Sequence, residues 1–150
     1  MAKHLDKHLI GLSGEYFVAG MLNMKGWVAS LTLKNYPSVD IFALNTYTDE
    51  TKAIQVKTTK NKKDFNIGIT HDQIGLIEQR IKSNFVFVHI SLKEEVDYYI
   101  VPRQELITLI KKRDDEYYNK QRSKPLKNYP ISVWIKDLGN YKDKWDNIWK

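Results

Sequence analysis

The sequence predicts a single α/β or α+β domain, residues 1–150, built around a mixed sheet. Three observations carry that expectation. Apolar residues recur at helical spacing through the first 25 positions. A series of short runs rich in β-branched and aromatic residues follows, separated by turn residues. One of these, Phe85-Val86-Phe87-Val88-His89-Ile90, is nearly continuous in apolar character, as in a strand covered on both faces.

The elements follow in order. Leu5 to about Lys25 reads as a helix whose stripe is Leu5, Leu9, Leu12, Tyr16, Ala19 and Leu22, ended by Gly26. Trp27 to Lys34 is a first strand, and Asn35-Tyr36-Pro37-Ser38 a turn. Val39 to Asn45 and Ala53 to Thr59 are the next strands, so the three suggest a meander. Phe65 to Ile69 is a further short strand. Thr70 to Lys82 reads as a helix with Ile74, Ile77 and Ile81 inward. After the apolar run comes a strand at Tyr98 to Val101, then a helix with Pro102 at its first position, running to about Lys112. Residues 111–128 read as the most loop-like part, with seven basic residues against three acidic ones. Ile131 to Ile135 is a last strand, and Trp145 and Trp149 share one helical face in the tail.

Composition narrows the function. The chain has 24 Lys and Arg against 18 Asp and Glu, a net charge of +6, which makes an anionic partner such as nucleic acid plausible. Without cysteine there is no disulfide, thiolate metal site or cysteine nucleophile. No run of 18 apolar residues suggests a membrane span, and no signal segment is visible, so the expected location is cytoplasmic. Nucleotide-binding glycine loops, a Gly-x-Ser-x-Gly elbow and a His-Glu-x-x-His helix are missing, so the sequence gives no support to NTP hydrolysis, dinucleotide cofactors or zincin chemistry.

The second and third strands carry the chemistry. Alternation puts Gln55 and Lys57 on one face of their strand and Ile54 and Val56 on the other. Asp40 converges with them if the strands are neighbours. Glu15 lies on the apolar stripe of the first helix, beside Gly11 and Gly14, which would allow close approach to a sheet. Taken singly, Lys57 reads as a surface lysine, Gln55 as a solvated amide and Asp40 as a strand end. Glu15 and Lys57 also fit a structural ion pair. It is the ordered set of helical Glu, then Asp, then Gln-x-Lys that stands out. A carboxylate, an amide and an ammonium gathered on a sheet are costly unless they pair or bind something.

That set, Gly14-Glu15, Ser38-Val39-Asp40-Ile41 and Ile54-Gln55-Val56-Lys57-Thr58-Thr59, resembles the PD-(D/E)XK nuclease superfamily over roughly residues 5–90. The resemblance is to its small branches, such as Holliday-junction resolvases and restriction-like proteins. It implies a restriction-endonuclease-like mixed central sheet flanked by helices, and metal-dependent hydrolysis of phosphodiester bonds in DNA. Val39 stands where the family often has Pro. Gln55 stands where it usually has Asp or Glu, which removes one negative charge from a metal site.

The resemblance implies Mg²⁺ or Mn²⁺ held by Glu15, Asp40, the Gln55 side-chain oxygen and the Val56 carbonyl, with Lys57 at the attacking water or the phosphate. Lys52, Lys60, Lys62 and Lys63, with no acid among residues 52–63, suggest phosphate contacts; a solvated lysine loop is the competing reading. Thr58 and Thr59 are candidate phosphate donors, and His71 and Gln73 open the next helix, whose N-terminus favours anions. The four tryptophans read as core packing rather than base-stacking platforms. Members of this class often act as dimers, which extends the expectation to a homodimer. Two other readings stay open: a catalytically silent nucleic-acid-binding module of the same fold, and a structural ion network.

Overall fold

The computed structural model describes residues 5–33, 36–120 and 128–150. Helix α1 (Lys7–Met24) is capped by the Asp6 carboxylate, which accepts from the His8 N–H at 2.9 Å, and ends at Gly26, where φ is +85°. Its buried face is Gly14, Val18, Ala19 and Leu22. The predicted stripe is therefore rotated: Leu5, Leu9 and Tyr16 are exposed, because the sheet beneath meets α1 through its small residues.

Strands β1 (Trp27–Leu31), β2 (Ile41–Asn45) and β3 (Thr51–Lys60) form the expected antiparallel meander, with Ala29 opposite Ala43 and Ile41 opposite Ile54. The chain then leaves the sheet through β4 (Asp64–Thr70), a 3₁₀ segment (His71–Leu76) and the single turn of α2 (Ile77–Arg80). It returns as β5 (Asn84–Ile90), parallel to β3, with Gln55 beside Phe85 and Lys57 beside Phe87. β6 (Val96–Val101) pairs antiparallel with β5 at the edge. The order is β1-β2-β3-β5-β6, a mixed five-stranded sheet. A second sheet of β4 and β7 (Pro130–Trp134) was not anticipated in the sequence.

The sheet separates two cores. On one face α1 meets Ile41, Ala43, Ile54, Val56, Val86 and Val88, with Trp145 and Ile148 of the C-terminal segment. On the other, Phe85, Phe87 and Val101 meet β4, β7 and α3 (Arg103–Lys120). Both faces of β5 are therefore covered, as its apolar run predicts.

Three expectations are corrected. The segment 70–82 is not a continuous helix, so it has no aligned helix N-terminus to hold an anion. Arg103 closes its last turn by donating Nε to the Ile81 carbonyl at 2.6 Å and Nη2 to the Glu78 carbonyl at 2.7 Å. Helix α3 does not stop near Lys112 but continues to Lys120. Its buried stripe runs Leu106, Ile107, Ile110 and then Asp114, so a carboxylate occupies the last inward position and hides the helical period. Arg122, Lys124 and Lys127 of the loop-like segment, like Lys34 and Asn35 of the first strand and turn, lie outside the described residues. The tail is a 3₁₀ segment (Trp145–Trp149), with Trp149 edge-on to Trp27 at 5.1 Å.

A polar clasp fixes this tail. Asn84 donates Nδ2 to the Ile148 carbonyl at 2.8 Å and accepts the Arg103 N–H on Oδ1 at 2.8 Å. Asn147 donates to the Ile100 carbonyl at 2.9 Å.

Candidate nuclease site

Asp40 lies just ahead of β2, where β2 begins to part from β3. Its backbone is held on both sides. The Asp40 N–H donates to the Ile54 carbonyl at 2.9 Å, and its own carbonyl accepts from the Thr32 N–H at 2.9 Å. Oδ2 of Asp40 accepts the Val56 N–H at 2.7 Å. The side chain thus takes a ladder position that strand pairing has left open. N–H and C=O of one strand residue point to the same side, so the Val56 carbonyl faces the same gap.

Gln55 and Lys57 are half-buried and flank Val56 on the face opposite its core-facing side chain. Burial raises the pKa of Asp40 above the usual carboxylate value. The Val56 hydrogen bond and the Lys57 charge act against that rise but do not overcome it.

Glu15 approaches from the other side of the strand. At Gly14, its neighbour, an added Cβ would fall 1.8 Å from Thr58 Oγ1, so no side chain fits there. This glycine presses α1 against β3 one residue beyond Lys57. Glu15 itself is half-buried on that turn. Asp40 thus meets β3 at Val56, with Gln55 and Lys57 on either side of that residue, and the Glu15 turn lies over the same strand at Thr58. Among the described residues no three His, Cys, Asp or Glu side chains form a metal cage.

The chain is 12% identical to a bacterial homing endonuclease, I-Ssp6803I, with a TM-score of 0.54 over 95% of this chain and 90% of that one. The fold is restriction-endonuclease-like. The Holliday junction resolvase Hjc of Archaeoglobus fulgidus also aligns, at 16% identity and a TM-score of 0.45, covering 85% of this chain and 86% of that one. No protein-family model and no curated protein sequence matches.

On this restriction-endonuclease-like sheet the remaining predicted contacts scatter. Lys52 pairs with Glu50 at 3.2 Å and Lys60 with Glu94 at 3.8 Å. Lys62 and Lys63 are exposed in the β3–β4 turn, where Asn61 takes a φ of +59°. Thr58 Oγ1 is buried beneath Gly14 and Thr59 is buried too, so neither hydroxyl is presented to a phosphate. Gln73 Oε1 accepts the Thr70 N–H at 3.2 Å, a local cap. His71 Nδ1 meets the Asp114 carboxylate at 2.8 Å and lies between Tyr118 and Tyr129, a structural role. No helix of the described residues is long and apolar enough to cross a membrane.

Sequence reasoning missed two groups in this restriction-endonuclease-like fold. One is the network of His71, Asp114 and Tyr129, whose hydroxyl donates to Asp114 Oδ1 at 2.8 Å. Asp114 was concealed in an acidic run whose neighbours are solvated. The other is Trp134, 38% exposed at the end of β7 rather than in the core, with Arg113 and Lys136 over its ring. The lysine two residues after it, just past the strand end, was the available signal.

Proposed function

We propose that this protein is a divalent-metal-dependent nuclease that hydrolyses phosphodiester bonds in DNA. The observation that carries the reading is Asp40: a half-buried carboxylate whose Oδ2 accepts the Val56 N–H at 2.7 Å, on the strand where Gln55 and Lys57 flank Val56. The donor set fits Mg²⁺ or Mn²⁺, hard cations that take oxygen ligands and need few from the protein. Asp40, Glu15, Gln55 and the Val56 carbonyl would hold the ion. A bound ion supplies charge for the scissile phosphate and acidifies a water molecule.

The chain's own groups do the rest. Lys57 offers a fixed ammonium to a phosphate oxygen, where negative charge builds as the bond breaks. Val56 N–H keeps Asp40 in one rotamer. Gly14 keeps the Glu15 turn close. The exposed Lys62 and Lys63 carry phosphates past the site without reading sequence.

The reading is tested with plasmid and branched DNA in Mg²⁺ or Mn²⁺. Wild type nicks or cuts, while Asp40→Ala and Lys57→Ala lose the activity. Equal activity in all three overturns the assignment. Salt-dependent DNA binding with no cleavage by wild type would identify the silent binding module instead.

A further inference from the structure

Three of the four tryptophans, Trp27, Trp145 and Trp149, pack against the α1-side core. Trp134 stands apart at the end of β7. Its ring is pinned rather than loose. The Arg113 guanidinium lies 5.6 Å from the ring centroid and is itself held by Glu116 at 3.3 Å and Asp137 at 3.4 Å. The exposed Lys136 ammonium lies 5.8 Å from the same ring.

A cleft of about 360 Å³ opens beside it, lined by Trp134, Tyr117 and Tyr129 together with Arg113, Lys120 and Lys136. Pockets of this size hold small organic ligands. Asp114 also lines the cleft, 4% exposed, with its oxygens taken by His71 and Tyr129. A buried carboxylate repels a phosphate there but not an uncharged ring. The aromatic walls suit a flat heterocycle, and the exposed ammonium suits a phosphate outside.

Strand pairing links the cleft to the β3–β4 turn. Trp134 pairs with Asp64, and the Ile135 N–H donates to the Lys63 carbonyl at 2.9 Å. The turn bearing Lys62 and Lys63 therefore borders the tryptophan. Seven residues separate Asp64 from Lys57, a reach of at most about 25 Å. Along one strand at about 3.4 Å per step, that is about seven nucleotides.

We propose that this cleft receives an unpaired nucleobase stacked on Trp134, a few nucleotides from the cut, so that the preferred substrate carries single-stranded or extrahelical bases. This deepens the nuclease reading and rests on it for the cutting site, but not for binding.

The test is an anisotropy titration of labelled oligothymidylate and of a mixed-sequence duplex of the same length, at one fixed salt concentration and without divalent ions. Trp134→Ala weakens oligothymidylate binding by about fivefold to a hundredfold and duplex binding by less than about twofold. In wild type, oligothymidylate quenches tryptophan emission; in Trp134→Phe it still binds but the quench is gone. Equal weakening for both ligands, no weakening, or a quench that survives in Trp134→Phe overturns the proposal. The phenylalanine variant keeps the test decisive if the alanine variant does not fold. Neither titration reads cleavage, so an inactive wild type would refute the nuclease reading and leave this result standing.

Discussion

Replacing Asp40 by Asn separates the demands of the site from those of the fold. Asn keeps an oxygen for the Val56 N–H, now 2.7 Å from Oδ2, and removes the half-buried charge. Asp40 has a folded-state pKa raised above 3.8, chiefly by burial. A raised carboxylate favours the folded state only while it is protonated. Its stability contribution is full below 3.8 and is lost as pH rises through the folded value. At neutral pH wild type therefore carries the penalty and the Asn variant does not. Asp40 is only half-buried, so solvent screens part of the penalty and the gain is under about 1 kcal/mol; each kcal/mol raises Tm by about 2–4 °C in a domain of this size. Asp40→Ala instead leaves the Val56 N–H without its acceptor, at about 1–3 kcal/mol, so it melts below the Asn variant.

The assay is thermal melting of all three proteins, without divalent ions, at neutral pH and again below 3.8. The Asn gain is present at neutral pH and vanishes in acid, where Asp40 is neutral in wild type as well. An Asn variant that melts lower than wild type at neutral pH, or a gain of the same size in acid, would refute the reasoning. Added Mg²⁺ raises the Tm of wild type and not of the Asn variant, because only a ligand bound to the folded state stabilises it.

Four further outcomes are expected. Gln55→Glu adds a third carboxylate and tightens Mn²⁺ binding in calorimetry, with no change in the basic turn. Gly14→Ala forces α1 away from Thr58 and costs about 1–3 kcal/mol in urea denaturation; with Thr58→Gly beside it, a double-mutant cycle returns a favourable coupling. Asp114→Ala leaves His71 Nδ1 and the Tyr129 hydroxyl without their shared acceptor and costs about 1–3 kcal/mol by the same measurement. Tyr129, whose pKa is raised by burial and by Asp114, stays protonated in the folded protein above its ordinary value of 10.0, while the unfolded chain ionises. Stability therefore falls as pH climbs from 10, and Tyr129→Phe flattens that fall in alkaline melts.

The strands were legible because their alternation and their turn residues agree: every predicted strand exists, with ends shifted by a few residues. What the sequence hid has a common physical cause, polar atoms placed inward. Asp114 sits on the buried stripe of α3, so the helix looked finished about two turns early. Gly14 occupies the buried face of α1, and a stripe drawn through large side chains instead pointed to Tyr16, which is 61% exposed. That Asp40 lies beside the strand of Gln55 and Lys57 was expected only on condition that the two strands are neighbours, which they are. The burial of Thr58 and Thr59 did not, because it depends on α1 and on the opposite core, which lie far away in sequence.

The clasp at Asn84 has a consequence for how the molecule opens. Asn84 and Arg103 join the C-terminal segment, packed on one side of the sheet, to the α2 turn on the other. Neither core can loosen without breaking bonds that also serve its counterpart. Amide hydrogens on β5 and on the final 3₁₀ segment therefore exchange at a common rate, as one cooperative unit rather than two. Asn84→Ala divides that rate, letting the tail exchange first while the β4–β7 side stays protected.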